Sequence, residues 1–218
     1  MKIGIIGTGH MGSALRSALS KTEHELFIGS RDPEKFADIK ERTKSAEMIF
    51  SSNEEAVKKS EIIFLSVRWR DTLDAISTLG NLDGKIIVEI SNPFSEDMDG
   101  TIFDSTTSAA EELSRHLPGA KIVKAFNHIF ADIVENSKNL KYKPQTFYCG
   151  DDRNANEKVK IILEDMGFEC ISLGQLASAR LMESLTILEL RILQNQDHDT
   201  KYAMEWKNME AFSPHARG

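Results

Sequence analysis

Lys2-Ile3-Gly4-Ile5-Ile6-Gly7-Thr8-Gly9-His10-Met11-Gly12 is the stretch whose reading decides the fold. Residues 2–6 form an apolar run of strand length. Residues 10–21 then read as a helix, with Met11, Ala14, Leu15, Ala18 and Leu19 on one stripe. Between them the glycines fall in the pattern G-x-G-x-x-G. Chance matches to that pattern are common, and the strand before it and the helix after it are what make it informative. Gly7 permits a tight turn, Gly9 leaves room for a pyrophosphate, and Gly12 lets helix and strand pack closely. The free backbone N–H groups at the start of the helix then face the phosphates. Gly7, Thr8, Gly9, His10, Met11 and Gly12 are therefore the expected cofactor loop, with His10 a loop side chain beside the cofactor.

Working outward, further strands are predicted over 25–29, 61–67, 85–90, 121–126, 146–149 and 170–173. Those over 61–67 and 85–90 are almost wholly apolar, as a parallel sheet buried on both faces requires. Helix starts are marked by Asp32 before Pro33, and by the pairs Ser52/Glu55 and Ser108/Glu111 in capping-box spacing. A helix over 156–166 is closed by Gly167. Residues 92–106 read as a loop. The longest helical pattern covers 177–193, with Leu181, Leu185, Leu188 and Ile192 spaced for one face, and Met182, Leu185 and Leu188 read as core. Alternating strands and helices define an α/β fold, a Rossmann-type doubly wound, mostly parallel sheet with a small C-terminal helical segment. Residues 1–174 form the nucleotide-binding domain, and 175–218 a helix and tail packed on it.

Composition narrows the partners. The 218 residues carry a formal charge of −7 and are 40% hydrophobic. That supports a core and argues against nucleic-acid or anionic-membrane surfaces, which need basic patches. No apolar run approaches the roughly 20 residues of a membrane span, and no signal-peptide pattern is visible, so a cytoplasmic location is expected. Cys149 and Cys170, the only cysteines, read as reduced thiols. No metal-ligand spacing is seen and no metal is expected.

The end of the second strand sets the cofactor. An NAD-preferring fold places an acidic residue there for the ribose 2′-hydroxyl. Here the residues are Gly29-Ser30-Arg31. A carboxylate would repel a 2′-phosphate, whereas Ser30 can donate to one and Arg31 can fork onto it. Lys35 adds charge one helical turn on. NADP(H) is the expected cofactor.

At these residues the sequence resembles the NADP oxidoreductases that use the deazaflavin coenzyme F420, and the cytosolic reductase domain of the STEAP metalloreductases. The matching pieces are Ile5-Ile6-Gly7-Thr8-Gly9, Gly29-Ser30-Arg31, Ile90-Ser91-Asn92-Pro93, Val123-Lys124-Ala125-Phe126-Asn127, Cys149-Gly150-Asp151-Asp152, and the run from Ser178 to Thr186. The resemblance implies NADPH across the strand ends with a second redox cofactor stacked on the nicotinamide. The transmembrane half of the metalloreductases has no counterpart in these residues, so membrane metal reduction is not expected.

In such a sheet, ligands lie outside the carboxyl ends of the strands. Ser66, Val67 and Trp69, then Ser91, Asn92 and Pro93, are expected to line the cofactor. Asn127 and His128, with Ser178, Arg180 and Thr186, form the acceptor side. Arg68 and Arg70 flank Trp69. Hydride transfer between two flat rings needs proximity and orientation and no dedicated acid. If an imine or carbonyl is reduced instead, His128 is the candidate acid, beside its reading as a hydrogen-bonded structural histidine. Glu183 reads as a base, a helix cap or a salt-bridged carboxylate. The expected function is hydride transfer between NADPH and a deazaflavin or a flavin, FMN or FAD. Reduction of a small imine or carbonyl, and NADPH sensing without turnover, are the alternatives. The long helix and aromatic tail leave open a homodimer contact or packing on the same chain.

Overall fold

The computed structural model describes residues 1–36, 48–103, 105–196 and 202–207, with the side chains of Lys35 and Phe36 outside that description. Eight strands form one sheet: β1 Lys2–Ile6, β2 Glu25–Ser30, β3 Met48–Ser52, β4 Ile62–Leu65, β5 Ile86–Glu89, β6 Lys121–Ala125, β7 Gln145–Gly150 and β8 Glu169–Ser172. Their order is β3-β2-β1-β4-β5-β6-β7-β8. The first six run parallel, β7 is antiparallel to β6, and β8 is parallel to β7. The described helices are α1 His10–Leu19, α2 Asn53–Lys59, α3 Trp69–Ser77, α4 Ala109–His116, α5 Ala131–Asn136, α6 Arg153–Asp165 and α7 Ala179–Gln196.

Side-chain alternation on the central strands explains the layering. Ile62 and Phe64 enter one core with Leu15, Val134 and Ile162, while Ile63 and Leu65 enter another with Val57, Leu113 and Met182. Each strand buries both faces, so its sequence reads as a continuous apolar run. β3 has no counterpart in the sequence reading. It is an edge strand whose Ile49 is exposed, and only Met48-Ile49-Phe50 are apolar before Ser51 and Ser52. Half its pattern serves solvent, which weakens the signal.

The caps follow the sequence closely. Ser52 and Ser108 each accept from the backbone N–H three residues on, at 3.2 Å. α6 starts earlier than its apolar pattern, because Asp152 caps it by accepting from the Ala155 N–H at 2.8 Å. Gly167 closes the far end at φ +96°. Pro33–Phe36 is a 3-10 turn, and the continuation of the helix expected after Asp32 lies outside the described residues.

The long helix corrects the sequence reading. Leu181 and Leu188 are 70% and 53% exposed, Ile192 is exposed, and Leu185 is half-buried. The buried stripe of α7 is Ala179, Met182, Glu183, Thr186 and Glu189. Period 3.6 locates stripes on a helix but does not say which one faces inward. α7 lies over strand ends that offer an ammonium and amide groups, so its polar stripe finds partners there. The tail docks by backbone. Gln145 donates to the Trp206 carbonyl at 2.9 Å and accepts from the Trp206 N–H, while Trp206 as a whole stays 77% exposed. Phe212 lies outside the described residues. Both cysteines are free, and burial pushes each thiol up to about 12. Among the described residues, no helix is long and apolar enough to cross a membrane, and no cluster could hold a metal ion.

Candidate active site

The β1–α1 turn is built from backbone at very close range. Gly7 has φ +107°, and a Cβ there would sit 2.1 Å from the Ser66 carbonyl oxygen. A Cβ on Gly12 would sit 2.0 Å from the Gly7 oxygen. Neither position has room for a side chain. Gly9 is the opposite case, since a Cβ there would meet nothing within 4 Å. Gly9 caps α1 with no side-chain hydrogen bond, and the first turn of α1 holds no acidic residue. An exposed Thr8-Gly9-His10 segment thus places open space before helical N–H groups that a side chain does not cap. This is what an anionic pyrophosphate needs, and the residues fit a dinucleotide. His10 stands at the rim, its Nε2 3.9 Å from Asp132 on α5, and Met11 is half-buried.

At the end of β2, Ser30 is buried and its Oγ accepts from the Asp32 N–H at 3.0 Å. The hydroxyl proton remains available to a further acceptor. Arg31 is exposed beside it. Lys35 lies in the 3-10 turn, with its side chain outside the described residues.

Past β4, Ser66 and Val67 are half-buried, and α3 begins at Trp69, whose ring meets Phe103 edge-on with centroids 5.8 Å apart. Arg68 pairs with Asp71 on its own helix at 2.9 Å, and Arg70 is exposed. Past β5, Ser91 and Pro93 are buried and Asn92 half-buried. The Ser91 Oγ is buried with no partner among the described residues, and so is the Asn127 Oδ1.

Asn127 is turned into place by Phe126, a fully buried side chain at φ +61°. Such a backbone costs about 1–3 kcal/mol and persists only where its surroundings hold it. Here the Phe126 ring packs on Phe168 and Phe64, at centroid distances of 5.2 and 6.3 Å. The Asn127 amide nitrogen reaches the Met182 carbonyl at 2.9 Å, Asn92 Oδ1 at 3.0 Å and Thr186 Oγ1 at 3.0 Å, while Asn92 donates back to the Asn127 carbonyl at 2.6 Å. Asn92, Asn127 and Thr186 are thus one unit joining β5, β6 and α7.

His128 sits beneath α7 with both ring nitrogens facing protein. Its Nε2 accepts from the Phe147 N–H at 3.2 Å, which puts the ring proton on Nδ1, 3.6 Å from Glu189. Ser178 donates to the Leu173 carbonyl, and Arg180 forks onto Glu111 of α4 at 2.8 and 2.5 Å. The guanidinium holds the Glu111 carboxyl below the usual carboxylate range. Arg180 therefore ties α7 to α4.

Sequence reasoning missed Glu89 and Lys124. Both are essentially fully buried, and they oppose each other in the β5–β6 register. Lys124 donates to Glu89 at 2.5 Å, to the Ser91 carbonyl at 2.7 Å and to Glu183 at 2.9 Å. Glu183 also accepts from the Ala109 N–H, at 3.0 and 3.3 Å, and so caps α4 from a distant helix. Burial pushes the Glu183 carboxyl up against the pull of Lys124. The available signal was a charge of opposite sign inside each of two neighbouring apolar strands.

The strand order and the glycine turn define a dinucleotide-binding Rossmann protein. Residues 2–93 match the family described as NADP oxidoreductase coenzyme F420-dependent. The chain is 31% identical over 204 residues to the F420-dependent NADP reductase of Methanocaldococcus jannaschii, covering 86% of this chain and 90% of that one. It belongs to this NADP-dependent oxidoreductase family. It is also 32% identical over 187 residues to the metalloreductase STEAP3 of Rattus norvegicus, which covers 85% of this chain but only 36% of the relative. A solved structure from Arthrobacter sp. FB24, described as a candidate F420-dependent NADP-reductase, superposes with a TM-score of 0.84 at 27% identity, covering 95% of this chain and 100% of that one. An imine reductase of Streptomyces aurantiacus shares the fold, with a TM-score of 0.65 at 18% identity over 90% of this chain and 64% of that one.

Proposed function

We propose that the chain binds NADP(H) across the carboxyl ends of β2, β1, β4 and β5 and passes hydride between it and a flat redox ring, a deazaflavin of the F420 type or a flavin. The observation that carries the reading is the pairing of an uncapped, side-chain-free α1 start with a hydroxyl and a guanidinium at the end of β2. The first suits a pyrophosphate and the second a 2′-phosphate. With those two anchored, the nicotinamide half runs over β4 and β5. There the unpartnered Ser91 Oγ and Asn127 Oδ1 offer hydrogen-bonding capacity to a ligand amide. A ring acceptor is supported by the reductase of Methanocaldococcus jannaschii, whose name states F420 dependence. It also suits a site in which the His128 Nε2 is taken by the Phe147 N–H.

The test is loss of the reduced-nicotinamide absorbance when the purified chain and NADPH meet F420, FMN, FAD, or small imines and carbonyls. Oxidation with a deazaflavin or flavin is expected. Oxidation only with the imines or carbonyls would replace the acceptor. Tight NADPH binding with no turnover on any of them would make the chain a sensor.

A further inference from the structure

The cluster at the ends of β5 and β6 holds two carboxylates and one ammonium. Every hydrogen bond that Glu89 and Glu183 make is one they accept. Glu89 takes the Ser91 N–H at 2.6 Å and Lys124, and Glu183 takes Lys124 and the Ala109 N–H. Because only N–H donors meet these carboxyls, the geometry favours the charged forms and opposes the burial that pushes Glu183 up. The neighbouring Arg180–Glu111 pair is neutral as a unit. One excess negative charge therefore remains, with Glu89 two residues behind Ser91 and the cluster almost wholly shielded from water.

We propose that the Glu89–Lys124–Glu183 cluster favours the oxidised, cationic form of the nicotinamide over the neutral reduced form, and so makes bound NADPH a readier hydride donor. The proposal rests on the NADP(H) reading above. Reduced and oxidised rings differ by one unit of charge, and the cluster lies behind the β5 end over which the nicotinamide half runs. A buried unit charge acting over roughly 10 Å, at an effective dielectric of about 20 and partly screened by salt, shifts an equilibrium by roughly three- to fifteenfold. The glutamates are positioning residues here. They hold the Ser91 turn and supply a field without touching the ring.

Calorimetric titration of the whole chain with NADP+ and NADPH tests this, in the parent protein and in Glu183→Gln and Glu89→Gln. Each variant keeps a side chain of the same size and removes the excess charge. The ratio Kd(NADP+)/Kd(NADPH) is expected to rise roughly three- to fifteenfold in both. Equal weakening of the two nucleotides, with the ratio within about twofold of the parent, would show a purely structural cluster and overturn the proposal. Glu61→Gln, at the far end of β4 and paired with Lys158, is expected to leave the ratio unchanged. If one cluster variant fails to fold, the other decides. Failure of both would make the cluster a requirement of the fold and also overturn the proposal. Binding of neither nucleotide to the parent protein would instead remove the NADP(H) reading itself.

Discussion

Between Ile6 and Gly12 the protein presents backbone, and between Ser91 and Thr186 it presents side chains. The first region is local, exposed and made by absence: no Cβ fits at Gly7 or Gly12, and none occupies the space before Gly9. The second joins β5, β6 and α7 through Asn92, Asn127, Thr186, Glu89, Lys124 and Glu183, nearly all buried. A backbone site tolerates almost any neighbour provided its glycines stay. A buried polar site is costly to break, since a group that loses its partner there pays its desolvation. The contrast teaches that one edge of a sheet can be shaped by chain geometry on one side and by residues distant in sequence on the other.

That contrast can be broken most severely within the glycine turn. Gly12→Ala puts a methyl against the Gly7 carbonyl, 2.0 Å from its oxygen, and both partners are backbone. We expect a stability loss of about 1–3 kcal/mol together with loss of NADPH binding. Gly9→Ala meets open space. It should keep its unfolding free energy within about 0.5 kcal/mol, yet still lose nucleotide affinity. Parallel urea titrations and calorimetry check both. Undiminished NADPH binding by Gly9→Ala would mean that the space before α1 is not the phosphate site.

The end of β2 sharpens the comparison with a side chain on the anchoring half. Arg31→Ala is expected to weaken NADPH by roughly ten- to a hundredfold, the value of hydrogen bonds to a charged group, and to leave NADH unchanged. Equal losses for both nucleotides would remove the 2′-phosphate from the account. The smallest effect belongs to the tuning half. Ser108→Ala removes a cap from α4 but leaves Glu183 on the adjacent Ala109 N–H. A loss of about 1 kcal/mol is expected, or roughly 2–4 °C in a thermal melt. A much larger loss would show that the serine supports the Glu183 contact as well.

The two regions differed equally in how far the sequence disclosed them. Gly7, Gly9 and Gly12 lie in one turn, so their spacing could be read directly, and Ser52 and Ser108 announced their helices through partners three residues away. Lys124 and Glu89 are 35 residues apart, and only the β5–β6 register sets them face to face. Arg180 looked like an acceptor-side cation until Glu111 of α4 was placed beside it. The Leu181, Leu188 and Ile192 stripe was visible as a stripe, but nothing in its period said that it would face outward.

The glycine turn, the capping serines and the hydroxyl–guanidinium pair at the end of β2 were determined by the sequence alone, because each depends on residues within a few positions of one another. Tertiary structure decided which stripe of α7 is buried, where Asn127 points and how three charges share one dry site. Those outcomes depend on what another element offers across the gap, and a linear pattern carries no record of its eventual neighbours.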